Sequence, residues 1–570
     1  MATLIPDHAG LAQLTTPLTA GEAHLVAFLE RDLGPEWEVY VQPFLNGTRP
    51  DVVALHPTRG ALILEVKDWD LSCYGWARGE GRWQGRGSHG EASIPNPFGK
   101  VEHYRENILR FLVPEVGAMI REGGWRGLGM VRVGVYFHRA TEAQVRQLTD
   151  GRVHRDVWQL GRDSLRAGVA ESWVGGEGRV PAVFAPLLRA WLNPPLHALE
   201  QGAPLRLLRE QERLAVPAPG FTRFHGVAGS GKSLVLASRA ARVAAAGGRV
   251  LIVSFNITLW HLLRDGVRRA GGREALRNVV FNHFHGLARD LRVESGLSWQ
   301  DCGGDVAVLV SRAAARLGVR YDAVLVDEAQ DMEDSWGLAL MGLVAPDGQF
   351  MAACDDLQNV YGRPGGWLND SRFGRWRALK SSVRLHDRVV QLANRFATAF
   401  LPGVGLLAES SQPMLPLGVP EFQWTELTTR EEAVQACVNR VRSLIHDGAQ
   451  PTDIAVLLPD HALGLAFVET MEGQGVGIRV NHVFTDDQDD KRQKYAFWMG
   501  DARLKACTVH SFKGWEARHI IAVLDARGEL SAPQAMLAYT AITRAQGSLT
   551  LLNLSPAFHG FGTDMKESAA

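Results

Sequence analysis

One octet narrows the folds open to this chain more than anything else in it. Gly226-Val-Ala-Gly-Ser-Gly-Lys-Ser233 fits G-x-x-x-x-G-K-[ST] at every fixed position. In such a loop glycines let the backbone curl until its N–H groups point at phosphate oxygens, which assigns Gly226, Gly229, Ser230 and Gly231 to the cradle. Lys232 brings a compact point charge to the β- and γ-phosphates, and Ser233 a hydroxyl to Mg²⁺. The flanks complete a strand–loop–helix unit. FTRFHGV reads as a strand, LVLASRAARVAAAGG as an Ala-rich helix closed by Gly-Gly, and RVLIVSF as the next strand. Strand-like runs at Val250–Phe255, Ala323–Val326, Phe350–Cys354, Ile454–Leu458, Ala506–Val509 and Ile520–Leu524 alternate with helix-length segments. That alternation predicts α/β architecture with parallel sheet.

A phosphate loop needs an acid to hold the metal. Tyr321-Asp-Ala-Val-Leu-Val-Asp327-Glu328 is an apolar strand ending in two carboxylates. From a strand's C-terminal edge Asp327 can reach the Mg²⁺ shell, and Glu328 can orient water for attack on the γ-phosphate. At 570 residues the chain is too long for one core, and length alone suggests roughly three to five domains. The clearest seam runs from Leu192 to Pro204, where a Pro pair, a Gly and a further Pro discourage a continuing helix or central strand. A boundary is therefore expected near residue 200.

With the loop in place, Asp327-Glu328-Ala329-Gln330-Asp331 resembles motif II of the UvrD-like superfamily 1 helicases, and the family's other motifs stand around it in order. Leu208-Arg-Glu-Gln211 resembles the Q-motif, which implies that Gln211 binds adenine. Ser254-Phe255-Asn256 resembles motif Ia, with Phe255 stacking on a base. Asp355-Asp356-Leu-Gln358-Asn-Val-Tyr361 resembles motif III, with Gln358 sensing the γ-phosphate and Tyr361 on the nucleic acid. Arg384 matches the motif IV arginine. Thr508-Val-His510-Ser511-Phe-Lys513-Gly514-Trp-Glu516 resembles motif V, which places Glu516 on the ribose and His510 beside the strand. Leu537-Ala-Tyr539-Thr540-Ala541-Ile-Thr543-Arg544-Ala545 resembles motif VI, with Arg544 as arginine finger. The resemblance covers about residues 205–550 and implies ATP as cofactor. It also implies two RecA-like P-loop domains, 201–375 with a short insertion and 376–570 with a reduced one. The sequence departs from the pattern at Cys354, where Gly is usual, at Ser382-Val383, and at Arg363, where a stacking Trp often stands. Either Trp367 nearby substitutes for that Trp, or the base contact differs.

The N-terminal 200 residues carry a second constellation. Pro50-Asp51 is followed by Leu64-Glu65-Val66-Lys67. Strand alternation puts Glu65 and Lys67 on one face. Asp51 and Glu65 can share Mg²⁺ or Mn²⁺, and Lys67 can steady the developing phosphate charge. Solvated surface charge is the competing explanation. Gly21-Glu22 opening a helix, Glu65-Val-Lys67-Asp68-Trp69, and Asn96-Pro97-Phe98 entering another helix together resemble the nuclease-related domain, NERD. The resemblance implies a restriction-endonuclease-like domain at 1–200, with its core at about 20–135, and adds Glu22 to the metal shell. Tyr104 sits where such nucleases often place a helix tyrosine, and Lys100 where a glutamine is common.

The basic residues are 9 Lys against 52 Arg, so each Lys marks a place to inspect, and Lys67, Lys232 and Lys513 all fall within motifs. A net charge of −1 gives no basic footprint, so nucleic acid must be held by local grooves. Five scattered cysteines without a C-x-x-C pair disfavour a zinc site or disulfide framework and fit a reducing cytoplasm. No secretory signal and no membrane-length apolar run is read. Most of the 16 Trp are expected in cores, the run Asp486–Asp490 in a solvated loop, and the tail after about Gly562 loose. His283-Phe-His285 reads equally as a strand contact and as a helix start. The leading reading is an ATP-dependent DNA translocase or helicase joined to a metal-dependent nuclease, acting on single-stranded or forked DNA in repair or defence. Its rivals are a nucleic-acid-stimulated ATPase switch with a passive N-terminal clamp, and an RNA-directed motor. Oligomeric state is unread.

Overall fold

The computed structural model describes residues 1–570 except 13, 15, 77–82, 88–89, 95, 110–128, 175–179, 183, 203–204, 356–364, 380–381, 383–384, 403–420, 474–475, 486–491 and 563–570. The architecture is mixed α/β and is built on three six-stranded sheets.

The first sheet contains β1 (Thr3–Ile5), β2 (Glu38–Val41), β3 (Val52–His56), β4 (Gly60–Lys67), β8 (Val131–Phe137) and β9 (Val157–Gly161), side by side in that order. Between β4 and β8 a small antiparallel sheet holds β5 (Tyr74–Trp76), β6 (Trp83–Gly87) and β7 (Gly90–Ile94). β3 pairs antiparallel with β2 and β4, whereas the β1–β2, β4–β8 and β8–β9 pairs are parallel. Alternation along β3 and β4 sorts their side chains between two cores. Val53, Leu55, Ala61 and Ile63 share a buried cluster with Phe98, Val101 and Tyr104 of the Pro97–Asn107 helix. Val52, Ala54, Leu62 and Leu64 share another with Leu25 and Leu29 of the Ala20–Asp32 helix. By that parity Asp51, Glu65 and Lys67 belong to the face covered by the Pro97–Asn107 helix.

The second sheet is wholly parallel, in the order β12 (Val279–His283), β11 (Val250–Ser254), β13 (Tyr321–Asp327), β14 (Val344–Cys354), β10 (Gly220–Gly226), β15 (Arg377–Leu379). So is the third, in the order β16 (Glu421–Glu426), β21 (Ala545–Asn553), β20 (Ala517–Leu524), β17 (Ile454–Leu458), β19 (Leu504–Thr508), β18 (Val480–His482). β11 and β17, VLIVS and IAVLL, are buried at every residue. Such unbroken apolar strands are stable only with helices on both faces, as in parallel sheets. The six strand-like runs read from the sequence fall on strands here, five of them to within three residues at each end; β14 begins at Val344, six residues ahead of the run at Phe350–Cys354. The expected cut at 375/376 falls just ahead of β15, which pairs with β10 and so belongs to the second sheet. The seam holds structure too: one helix ends at Leu192, and Leu196–Gly202 forms a seven-residue helix. No helix among the described residues is long and apolar enough to cross a membrane.

Candidate active sites

The octet joins β10 to the Lys232–Ala245 helix. Gly229 and Gly231 have φ of +70° and +82°, where any Cβ is disfavoured. A Cβ on Gly226 would lie 2.4 Å from Ser230 Oγ, so the loop closes on itself tightly. Gln211 braces the loop, because its Nε2 donates to Ser230 O at 2.8 Å and its Oε1 accepts from Leu208 N. Lys232 Nζ donates to Gly226 O and to Asp355 Oδ2, both at 2.8 Å. Ser233 Oγ donates to Asp327 Oδ2 at 2.7 Å.

Asp327 ends β13 and is wholly buried, and Glu328 after it takes φ +52°, a left-handed conformation that is costly for a glutamate. Burial, then the Glu328 charge, pushes the Asp327 carboxyl up. Glu328 goes the other way. Burial alone would raise it, but Lys513, Lys232 and the Gln330 amide together hold it below the ordinary glutamate range. Lys513 comes from the segment after β19, in the third sheet's part of the chain. Its Nζ lies 2.6 Å from Asp331 Oδ2 and 3.3 Å from Glu328 Oε2. Further bonds cross the same gap, from Asn256 Nδ2 to His510 O (3.1 Å) and Ser511 O (3.0 Å) and from Thr258 Oγ1 to Ser511 O (2.6 Å). One small pocket is lined by Gly229, Ser230, Gly231, Lys232, Ser233 and Glu328 from one side and by Glu516 and Arg544 from the other. Arg544 is buried, its Nε donating to Thr540 O and its Nη2 to Thr543 Oγ1.

The N-terminal acids gather as strand parity requires. Asp51 sits one step beyond the Val52–Leu64 pair of β3 and β4, facing Glu65. Glu65 is 1% exposed. Its Oε1 accepts from Lys67 Nζ and Lys100 Nζ, each at 2.6 Å, and its Oε2 from Tyr104 OH at 3.2 Å. Asp51 Oδ2 accepts from Val66 N at 2.6 Å. Burial first, and the Glu65 charge second, push the Asp51 carboxyl up. Glu22 is buried nearby, but its carboxylate serves a capping box: Oε2 accepts from Thr19 N at 2.7 Å, and Oε1 from Gln42 Nε2 at 3.4 Å. Among the described residues, no three His, Cys, Asp or Glu side chains form a ready-made metal cluster.

Of the expected site residues, Gln358, Tyr361 and Arg384 lie outside the described residues, as do Arg363 and the run 486–490. Phe255 is half-buried and faces Trp336 with ring centroids 6.4 Å apart. His510 is half-buried, and burial followed by the Lys513 charge lowers its pKa. Trp367 is not a surface platform. It is 3% exposed and packs against Phe350 and Phe373, because this stretch returns to the sheet. His283 proves to be the N-cap residue of the Phe284–Ser295 helix. Two participants carry no role in the motifs: Asp355 on Lys232 and Asp331 on Lys513. Lys100, at the helix position where the resemblance expects glutamine, reaches Glu65.

The family model of the nuclease-related domain matches residues 18–127. Residues 18–127 are a nuclease-related domain. The NERD domain thus takes in Glu22, Asp51, Glu65, Lys67, Lys100 and Tyr104, the whole N-terminal constellation. No curated protein matches the chain. Among solved structures, a complex of the arterivirus helicase nonstructural protein 10 with DNA is similar at 12% identity and a TM-score of 0.30. The match covers 61% of this chain and spans 63% of that one.

Proposed function

We propose that this chain is an ATP-dependent DNA translocase or helicase of the UvrD-like superfamily 1 type, fused to a metal-dependent nuclease. In this reading the second and third sheets are the two RecA-like domains, at about 201–375 and 376–570, and residues 1–200 hold a restriction-endonuclease-like fold. The observation that carries it is the convergence of Lys232, Ser233, Glu328, Glu516 and Arg544 on one pocket between two parallel sheets.

The residues present fit the groups the reading needs. Ser230 Oγ is buried at the loop with no hydrogen-bond partner among the described residues, as suits an oxygen waiting for phosphate. Ser233 and Asp327 offer a hydroxyl and a carboxylate to Mg²⁺, and a cation there would offset the burial and the Glu328 charge that push the Asp327 carboxyl up. At the nuclease site Asp51 and Glu65 offer the hard oxygens that Mg²⁺ or Mn²⁺ takes; Glu22 would join only by leaving its cap. A divalent ion there would supply Lewis-acid charge to a scissile phosphate. In the cleft Lys232 moves from Asp355 to the β/γ-phosphates, and Glu328, oriented by Gln330 and Lys513, takes the attacking water. Arg544 reaches the developing charge, and Gln211 keeps the loop in register for adenine. Gln358 and Arg384 would complete the set, with Phe255, His510 and Tyr361 along the strand.

One observation favours a second reading, in which the NERD domain clamps DNA without cutting it: two lysines already neutralise Glu65. ATP turnover and Mg²⁺- or Mn²⁺-dependent cleavage should be measured for wild type, Lys232→Ala and Glu65→Ala, with and without single-stranded DNA or RNA. Lys232→Ala should lose turnover alone and Glu65→Ala cleavage alone. DNA-stimulated turnover in Lys232→Ala refutes the motor site, and a wild type that cuts no strand establishes the clamp.

A further inference from the structure

Two buried carboxylates belong to none of the motifs. Asp453 precedes β17 and is 7% exposed; Asp265 lies on the Leu259–Ala275 helix beside the second sheet and is 6% exposed. Both hold the short Leu196–Gly202 helix that joins the NERD domain to the rest of the chain. Asp453 accepts from Leu196 N with both oxygens, at 2.9 and 3.2 Å. Asp265 Oδ2 lies 3.2 Å from His197 Nε2 and accepts from Trp498 Nε1 at 2.7 Å. Gln201 Oε1 accepts from Arg268 Nη2 at 2.8 Å, on that same Leu259–Ala275 helix. The linker is thus fastened at once to the second-sheet and third-sheet sides of the cleft.

Its position is informative on both faces. On one, Leu196, His197, Glu200 and Gln201 line a narrow cavity shared with Ser233 and Glu516, next to the phosphate loop. On the other, His197, Ala198 and Leu199 line a cavity of about 550 Å³ whose far wall includes Gln42 and Arg49. One of the two touches an acid directly and the other reaches one through a hydroxyl. Gln42 Nε2 donates to Glu22, and the Tyr104 hydroxyl lies 3.2 Å from both Arg49 O and Glu65 Oε2, its one proton shared between them. Interiors packed at ordinary density resist displacement of a helix, but one bordering a void of this size can shift without repacking its neighbours. Asp265 and Asp453 are tied to opposite halves of the cleft, so any change in their separation must strain or move the helix between them.

We propose that Asp265 and Asp453 are positioning residues that make the Leu196–Gly202 helix a coupling element, through which nucleotide binding in the cleft sets the rate of strand cutting at the NERD acids. The proposal rests on the nucleotide and nuclease readings above. To the extent that nucleotide also changes the affinity of the acids for a strand, the strand changes nucleotide affinity by that same factor; the cutting rate itself carries no such symmetry.

The test uses the full chain. In wild type, saturating non-hydrolysable ATP analogue should change the rate of Mn²⁺-dependent cleavage of a single-stranded oligonucleotide by about fivefold or more. In Asp265→Asn and Asp453→Leu the nucleotide-free cleavage rate should stay within about threefold of wild type while the ratio with and without analogue collapses toward one. A variant that keeps the wild-type ratio overturns the assignment of that residue. A second arm needs neither cleavage nor a variant. Hydrogen exchange of wild type should show altered protection at 193–202 and 42–49 when the analogue binds, and none when the strand is absent and the analogue is replaced by inorganic phosphate alone. Bound analogue with unchanged exchange at 193–202 overturns the proposal. A fluorescent ATP analogue that fails to bind wild type removes the nucleotide reading and this proposal together. Absent cleavage with altered exchange removes the nuclease reading and overturns the coupling to cutting, while the nucleotide reading stands.

Discussion

Replacing Lys513 by Met keeps the length and bulk of the side chain and removes its charge. The ammonium is 4% exposed and stands against Glu328, 6% exposed at its side chain, and Asp331, 1% exposed. Burial by itself would lower the pKa of Lys513, yet the two carboxylates raise it, so attraction outweighs desolvation here. Removing one partner of a buried ion pair leaves the other charge uncompensated and costs about 3–5 kcal/mol. The Arg277–Glu274 pair provides a ruler in the same molecule, because its side chains are 77% and 76% exposed and 2.7 Å apart. Solvent screens such a pair almost completely. Urea unfolding followed by circular dichroism should move the transition that unfolds the second and third sheets to lower urea by ~1 M or more in Lys513→Met, taking a slope of ~3 kcal/mol/M. Arg277→Ala should leave it almost unmoved. A double variant, Lys513→Met with Asp331→Asn, should recover part of the loss, since neutralising Asp331 removes one orphaned charge. If Lys513→Met unfolds where Arg277→Ala does, the buried charges are compensated some other way and the argument from exposure is wrong.

Arg544→Ala should lower steady-state ATP turnover by about 10³-fold, because an arginine finger acts on charge that exists only in the transition state; a loss below tenfold means Arg544 does not reach the γ-phosphate. Asp51→Ala, Glu65→Ala and Lys67→Arg should each abolish metal-dependent cleavage while ATP turnover persists. Lys67 is included because a guanidinium fork cannot occupy the slot that its ammonium fills 2.6 Å from Glu65, and normal cutting by Lys67→Arg makes Lys67 an ordinary surface charge. Lys505 is wholly buried, and burial pushes its pKa down to about 7, although Asp501 and Asp453 oppose that. Between about pH 7 and its unfolded value near 10.4 the unfolded chain binds this proton and the folded chain does not, so stability should rise with pH by up to ~4–5 kcal/mol in that window. Unfolding midpoints measured from pH 7 to 10 should climb in wild type and stay flatter in Lys505→Met; parallel curves would show that Lys505 is charged in the fold.

Local patterns carried the sequence reading and long-range packing limited it. The Gly226–Ser233 octet lies within eight consecutive residues, and its strand and helix are contiguous with it, so local pattern alone was enough to read that unit. The acids Asp51, Glu65 and Lys67 followed from two-residue periodicity on paired strands. Lys100 is 35 residues from Glu65 and Lys513 is 182 from Asp331. Those partnerships depend on how a helix lies over a sheet and how two sheets face each other, which no local spacing encodes. Gln211 shows a subtler limit: its motif pointed to adenine, whereas its amide spans Leu208 and Ser230 and so also shapes the loop. Of the two alternatives left open at Trp367, its burial against Phe350 excludes the stacking platform, because the return of the chain to the sheet is a tertiary event. The Pro-rich seam concealed a helix, Leu196–Gly202, because seven residues have too little periodicity to announce themselves.

A second joint between the NERD domain and the remainder of the chain makes the linker's role sharper. Asn46 is 2% exposed on the loop between β2 and β3, with φ +39°. Its Nδ2 donates to Asn107 Oδ1 at 3.2 Å and to Gly477 O at 3.1 Å, and its Oδ1 accepts from Arg479 N at 3.1 Å. One side chain therefore ties the acid-bearing loop, the helix that carries Lys100 and Tyr104, and the strand edge before β18. Asn46→Ala removes all three bonds and places a Cβ without compensation at positive φ, a conformation that costs L-residues about 1–2 kcal/mol and that Asn tolerates better. Each buried partner left unpaired adds about 1–3 kcal/mol, less than additively. Asn46→Gly removes the same bonds without the backbone term, so the two variants separate the causes: Ala should be the less stable by about 1 kcal/mol. Limited proteolysis should cut both variants faster than wild type at 42–49 and 476–480, while the phosphate-loop segment 226–233 keeps its protection. Equal protection of the joint in wild type and Asn46→Gly would mean that the apolar core alone holds the domain in place.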